Sequence, residues 1–168
     1  MTDNDSWQRE VISVCHTDFL APFEGTGPVD AQGNYKVYLD PVGIPTVGHG
    51  LTFLQDHKPL QKSDVGKVLP KEDVDRMQMQ VQREFLQGLL KFSPSLQGES
   101  VKRVAGILSW VYNLGLGNYK SSTFRKRVEA ADWAQAASEC RRWDKAGGKV
   151  LKGLVARREA EAKAILQG

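Results

Sequence analysis

The chain has 168 residues, 40% of them hydrophobic and 26% charged, a size at which one compact domain buries a sufficient core unaided. No window approaches the roughly 18 consecutive apolar residues of a membrane span, and the acidic start MTDNDSWQRE lacks the basic region of a signal peptide. The expectation is therefore one domain over residues 1–168 that starts in the cytoplasm with no stable membrane insertion.

The formal net charge of +3 conceals a gradient: residues 1–100 carry 9 Lys/Arg against 14 Asp/Glu, and residues 101–168 carry 14 against 6. One end thus favours a polyanion, and charge alone does not choose between nucleic acid and an anionic cell wall. Cys15 and Cys140 match no metal-ligand spacing, so free buried thiols are expected, with no metal site and no cofactor.

In chain order, Trp7, Val11, Val14, Cys15 and Phe19 recur at helical spacing and predict an amphipathic helix that Pro22 ends, leaving Glu24 just past it. The glycine- and proline-rich stretch GTGPVDAQGNYKVYLDPVGIPTVGHG predicts turns and short strands: a hairpin turn at DAQGN, a strand at KVYLD, a turn at DPVG and an extended IPTVGHG, together a small antiparallel sheet. From residue 70 the period becomes helical again. Val74, Met77, Val81, Phe85 and Leu89 mark one long helix, and Val101, Val104, Ala105, Leu108 and Val111 a second that stops at NLGLG. Ser121 or Ser122 is read as the cap of a short helix through Val128, and Asp132 as the cap of one reaching about Arg142. Gly147 and Gly148 are read as a break before a last helix around 154–166. Trp110, Trp133 and Trp143 fall in helix stripes and are assigned to the core. The plan is an α+β fold with a small antiparallel sheet lobe (about 1–70), a long connecting helix and a mainly helical lobe (about 71–168), with a ligand cleft expected between lobes.

Cleaving a glycosidic bond needs one acid to protonate the leaving oxygen and a second polar group that activates water or attacks the sugar. Glu24, at a helix end, and Asp40, opening a turn after a strand, are the candidate pair. A strand, tight turn and strand return Thr46 toward Asp40, so that a hydroxyl and a carboxylate share one water. Residue pattern alone also leaves Asp40 as a plain turn former, Glu24 as a solvated acid and Thr46 as an ordinary strand residue.

The segments FEG, YLDPVGIPTVG, WVYNLG, SSTFRKRV and RRWDKAGGKVLKGLVARREAE, which span nearly the whole chain in order, resemble the phage-type lysozymes of glycoside hydrolase family 24. The resemblance implies a lysozyme-like fold and an endolysin, a muramidase that hydrolyses the β-1,4 bond between N-acetylmuramic acid and N-acetylglucosamine of peptidoglycan, with inversion at the anomeric carbon. It implies Glu24 as general acid, with Asp40 and Thr46 positioning the water. His49, Thr52, Tyr112, Asn113 and Thr123 are the implied substrate contacts. There are two departures from the family pattern. The Glu24-to-Asp40 interval is longer than the family's, which an elongated hairpin absorbs, and Leu51 stands where the family carries a histidine. A cytoplasmic endolysin implies a monomer that depends indirectly on a holin and reaches the wall once the inner membrane is permeabilised, drawn there by its basic lobe. The competing readings are a lytic transglycosylase, which needs no water-activating Asp, and a non-catalytic wall- or nucleic-acid-binding module. Against the nucleic-acid binder, Arg141, Arg142, Arg157 and Arg158 come without a reading helix or stacking aromatics.

Overall fold

The first helix, α1 (Asp3–Cys15), is started by Thr2, whose hydroxyl accepts from the Asp5 amide while the Asp5 carboxylate takes the Thr2 N–H, each at 3.2 Å. This reciprocal box satisfies two otherwise orphaned donors and places acid at the positive end of the helix. The computed structural model describes residues 2–168, apart from the side chain of Asp56. Pro22 does not end the helix as the sequence predicts. The chain runs on through a π-helical turn, His16–Leu20, into a short helix α2 (Ala21–Glu24) with Pro22 in its first turn, where a missing N–H costs nothing. Glu24 is thus the last helical residue.

Two compact units follow from the contacts, residues 1–19 with 82–168 and residues 20–81. The division falls inside a helix at 81/82 rather than near residue 70, and α1 belongs with the C-terminal helices.

In the unit 20–81 the strands are β1 (Tyr35–Lys36), β2 (Tyr38–Leu39), β3 (Pro45–Thr46), β4 (Phe53–Leu54), β5 (Lys58–Pro59) and β6 (Val68–Leu69). They form separate antiparallel pairs, β1 with β6, β2 with β3 and β4 with β5, in place of the single small sheet expected. Val37 separates β1 from β2, its amide donating to Lys67 O and its carbonyl accepting from Gly66 N. Two tight connections share one design. Asp30 N and Asp40 N donate to Asn34 O and Ile44 O, and Gly33 N and Gly43 N donate back to Asp30 O and Asp40 O, closing three-residue loops. Gly33 and Gly43 take φ of +82° and +84°, the left-handed position that such a loop reserves for glycine. The first loop closes the extra length between Glu24 and Asp40, with a bridge at Val29–Tyr35.

The long helix α3 (Lys71–Phe92) runs from this unit into the other. There α4 (Val101–Leu114), α5 (Leu116–Ser121), α6 (Thr123–Glu129), α7 (Trp133–Arg141) and α8 (Lys152–Gln167) follow in order. Ser100, Ser122 and Asp132 cap α4, α6 and α7 by accepting from amides three residues on, each worth about 1 kcal/mol. The Gly147–Gly148 pair is a hairpin turn between β7 (Lys145–Ala146) and β8 (Lys149–Val150), so the expected break before α8 is a small strand pair.

Helix α4 is the centre of this unit and packs on α1 and α8. Trp110 is fully buried, tilted against Phe124 at 4.8 Å and edge-on to Trp143 at 5.1 Å. Trp133 is only half-buried, under the Arg103 guanidinium at 4.3 Å. Cys15 and Cys140 are free and buried, and burial pushes both thiols up, which makes them inert. Arg157 and Arg158, weighed from sequence as basic residues of a nucleic-acid binder, are 3% and 1% exposed. Both pair with the fully buried Glu161, Arg158 Nε to Oε1 at 2.6 Å and Arg157 Nε to Oε2 at 3.3 Å, while the Ser109 hydroxyl donates to Oε2 at 2.5 Å.

Tyr119 offers a measurable pH effect. Its hydroxyl lies 2.8 Å from Ser93 Oγ, which donates to Glu129 at 3.0 Å. Burial first and the Glu129 charge next push the phenol up to about 12. A raised folded-state pKa means the contribution is intact below pH 10 and lost as pH rises through about 12. Denaturant midpoints should show a fall of about 2–3 kcal/mol across that range that is absent from Tyr119→Phe. Parallel curves for the two proteins would contradict this.

Candidate active site

The hairpin β2–β3 determines which side chains share a face. Tyr38 pairs with Thr46 and Leu39 with Pro45. Directly opposed residues point the same way, as do residues two apart on one strand. Tyr38, Asp40 and Thr46 therefore lie on one face, with Leu39 and Pro45 on the other. Thr46 is 3% exposed and its hydroxyl donates to Ile44 O at 2.8 Å, so its single proton is committed and its lone pairs remain.

Asp40 is a turn former, as one sequence reading held. Its Oδ1 accepts from Val42 N at 2.9 Å and Ile44 N at 2.8 Å. Asp30 makes the same bonds in the first hairpin, to Gln32 N and Asn34 N, but its second oxygen also accepts from Asn34 Nδ2 at 3.3 Å. At the equivalent place Asp40 faces Ile44, whose side chain has no donor. Among the described residues none donates to Asp40 Oδ2, so one oxygen builds the turn and the other accepts no hydrogen bond from the protein.

Glu24 reaches the same region from α2. A methyl group on Gly50 would lie 3.3 Å from Glu24 Oε2, so the loop after β3 runs against the carboxyl group. His49 fixes this approach: its Nδ1 donates to Gly25 O at 2.5 Å, a bond that puts a hydrogen on Nδ1. The ring is 4% exposed and edge-on to Tyr35 at 6.1 Å. The structure thus places His49 inside, holding the backbone beside Glu24, instead of at a sugar-facing surface.

Tyr38, not singled out from sequence, belongs to this group. Burial raises its phenol, followed by the charges of Glu24 and Asp40, so both carboxylates act on one ring. Gly27 makes room for it, because a Cβ there would collide with Tyr38 Cε1, Cδ1 and Cζ. The signal was available in the sequence: a three-residue loop, Pro41 to Gly43, sets the register 38 to 46, and period two puts Tyr38 on the face of Asp40.

The remaining expected contacts fall in both units. Thr52 is exposed ahead of β4, its carbonyl accepting from Leu60 N. In the other unit Tyr112 is half-buried, edge-on to Phe85 at 5.4 Å. Asn113, near the end of α4, has a buried Oδ1 with no partner among the described residues. Thr123 is exposed in the first turn of α6.

The chain is similar throughout to known proteins. The family described as Phage lysozyme matches residues 29–161, which include Asp40 and Thr46 and begin after Glu24. The SAR-endolysin of Bacteriophage PS119 is 32% identical over 148 residues, covering 85% of this chain and 83% of that protein. A P22 lysozyme mutant superposes with a TM-score of 0.65 at 25% identity, covering 93% of this chain and 94% of that one, and the endolysin of Escherichia coli O157:H7 phage FAHEc1 does so at 0.66 and 24%, covering 94% and 91%. By sequence over most of its length and by fold, this chain belongs to the phage lysozyme family.

Proposed function

We propose that the protein is an endolysin that hydrolyses the β-1,4 bond between N-acetylmuramic acid and N-acetylglucosamine in peptidoglycan, with Glu24, Asp40 and Thr46 as the reacting groups. The observation that supports the roles is the division of labour on the β2–β3 face: Thr46 has spent its proton on Ile44 O, and Asp40 has kept one oxygen out of its turn. A water on that face donates one hydrogen to Thr46 Oγ1 and the other to Asp40 Oδ2, which turns its lone pair toward the anomeric carbon. Glu24 gives its proton to the glycosidic oxygen as the bond from that oxygen to the anomeric carbon breaks. The water oxygen bonds to the carbon, its proton passes to Asp40, and solvent restores both acids. Asp40 on the face opposite the leaving group means inversion.

Mass spectrometry of digested peptidoglycan tests this. The expected products carry reducing ends, of inverted configuration when caught early, and disappear with Glu24→Gln. Anhydro ends would establish a lytic transglycosylase instead. Salt-dependent DNA binding without wall clearing would establish a binding module.

No helix among the described residues is long and apolar enough to cross a membrane, and we read the protein as a monomer that waits in the host cytoplasm, depends on a holin for passage and binds no nucleic acid. Its lysines and arginines outside the buried cluster supply the attraction to the wall. Clearing of permeabilised cells should weaken as salt is added, whereas salt-independent clearing would remove the electrostatic part of this reading.

A further inference from the structure

We propose that the β7–β8 hairpin and the first turn of α8 form a docking surface for an anionic phospholipid bilayer, which they grip reversibly at the level of the headgroups. None of the residues concerned belongs to the hydrolytic site, and the binding does not depend on hydrolysis.

The hairpin stands in solvent on both faces, since every residue from Lys145 to Gly153 is exposed. Lys145 pairs with Val150 and Ala146 with Lys149, and the Leu151 amide carries the ladder on by donating to Asp144 O at 3.0 Å. Directly opposed residues share a face and neighbours along a strand alternate, so Val150 lies on the face of Lys145, and Leu151 on the face of Ala146 and Lys149. Val150 is 58% exposed and Leu151 44%. Val155, whose amide donates to Leu151 O one helical turn on, is 37% exposed and extends the apolar strip into α8. A two-stranded ribbon is marginally stable in water by itself, and neighbouring aliphatic side chains displayed on it mark a contact surface.

Charge selects the partner's sign. Residues 141–156 carry five Lys/Arg against one acid, Asp144, which Lys145 already meets at 3.0 Å. Lysine stems lie along apolar surface while their ammonium groups reach outward. Aliphatic side chains flanked by such cations fit a membrane interface, where acyl chains receive the first and lipid phosphates the second. A glycan strand or a nucleic acid would complement the lysines but offers no apolar phase to Val150, Leu151 and Val155, and this favours the bilayer. Ribbon edges carry unpaired backbone groups that hydrocarbon excludes, so the hairpin stops among the headgroups.

Flotation of the full chain with vesicles of phosphatidylglycerol and phosphatidylethanolamine at low salt tests this, with phosphatidylcholine vesicles as the neutral comparison. Wild type should float with the anionic vesicles and stay behind with the neutral ones. Lys149→Gln/Lys152→Gln should lower the partition coefficient about 25-fold, near fivefold for each lysine, and Val150→Ser/Leu151→Ser by about tenfold or more. Melting temperatures should hardly move, because all four side chains are exposed. Lys126→Gln/Arg127→Gln, an equal charge change at exposed positions of α6, should lower binding far less. A wild type that ignores anionic vesicles overturns the proposal, as does full binding by Val150→Ser/Leu151→Ser. Equal losses in the α6 and hairpin lysine pairs would reduce the effect to net charge. Clearing of permeabilised cells that falls in the hairpin variants while vesicle binding holds would assign this face to the wall instead.

Discussion

Glu24→Gln is expected to lower kcat by about 10²–10⁴-fold, the range that a positioned general acid supplies, with little change in KM or melting temperature. Glutamine has the shape of the acid and keeps its place beside Gly50, and the backbone there is held by His49 through the Gly25 carbonyl. The loss would therefore report the proton and not the fold. Asp40→Asn sharpens the argument because asparagine builds the same turn, accepting from Val42 N and Ile44 N as aspartate does, but cannot take a proton from water. Asp30 provides a control within the same unit, since it makes the same backbone bonds in the first hairpin. Asp30→Asn should leave turnover intact where Asp40→Asn removes most of it. Equal effects of the two substitutions would mean that Asp40 matters only as a turn, and an undiminished rate in Glu24→Gln would remove the acid from the mechanism.

Glu161→Ala is expected to cost about 3–5 kcal/mol of stability, the usual penalty for stranding buried charge by removing its partner. Two guanidinium groups and one carboxylate meet inside the helical unit, and Ser109 and the carbonyls of Ser109 and Trp143 take further hydrogens from the arginines. Burial pushes the Glu161 carboxyl up, and Arg158, Arg157 and the Ser109 hydroxyl oppose this. With the carboxylate gone, both cations face a core that holds no other acid at nine-tenths burial or more among the described residues. For a chain of this length that corresponds to a melting temperature lower by roughly 10–15 °C. A shift of under 2 °C in calorimetry would contradict the assignment. A triple replacement of Arg157, Arg158 and Glu161 by apolar residues of matched volume should be far milder than Glu161→Ala, and the comparison separates the cost of a broken pair from the worth of an intact one.

Where the sequence carried a cap or an obligatory turn, it was legible. Ser122 and Asp132 announce their helices, and Asp-Pro-Val-Gly announces both a turn and, through its length, the register that brings Thr46 to the face of Asp40. Three features were hidden for different reasons. Pro22 reads as a stop because proline breaks helix interiors, yet after a π-helical turn it falls in a new first turn, and that depends on packing more than on propensity. His49 reads as a surface candidate because nothing local says that its Nδ1 meets the carbonyl of Gly25, 24 residues earlier. Arg157 and Arg158 read as exposed because arginine nearly always is, although Glu161 at i+3 and i+4 already offered a partner on the same helix face.

The first hairpin has a practical consequence. Its loop closes on Asp30 and Asn34 by its own hydrogen bonds, and Ala31 and Gln32 are exposed at the tip. A guest segment spliced between them would begin and end at a self-locking clasp, and each doubling of loop length adds only about 0.6 kcal/mol of closure entropy. That position suits a reporter tag or a targeting peptide, one hairpin ahead of the one that carries Asp40 and Thr46.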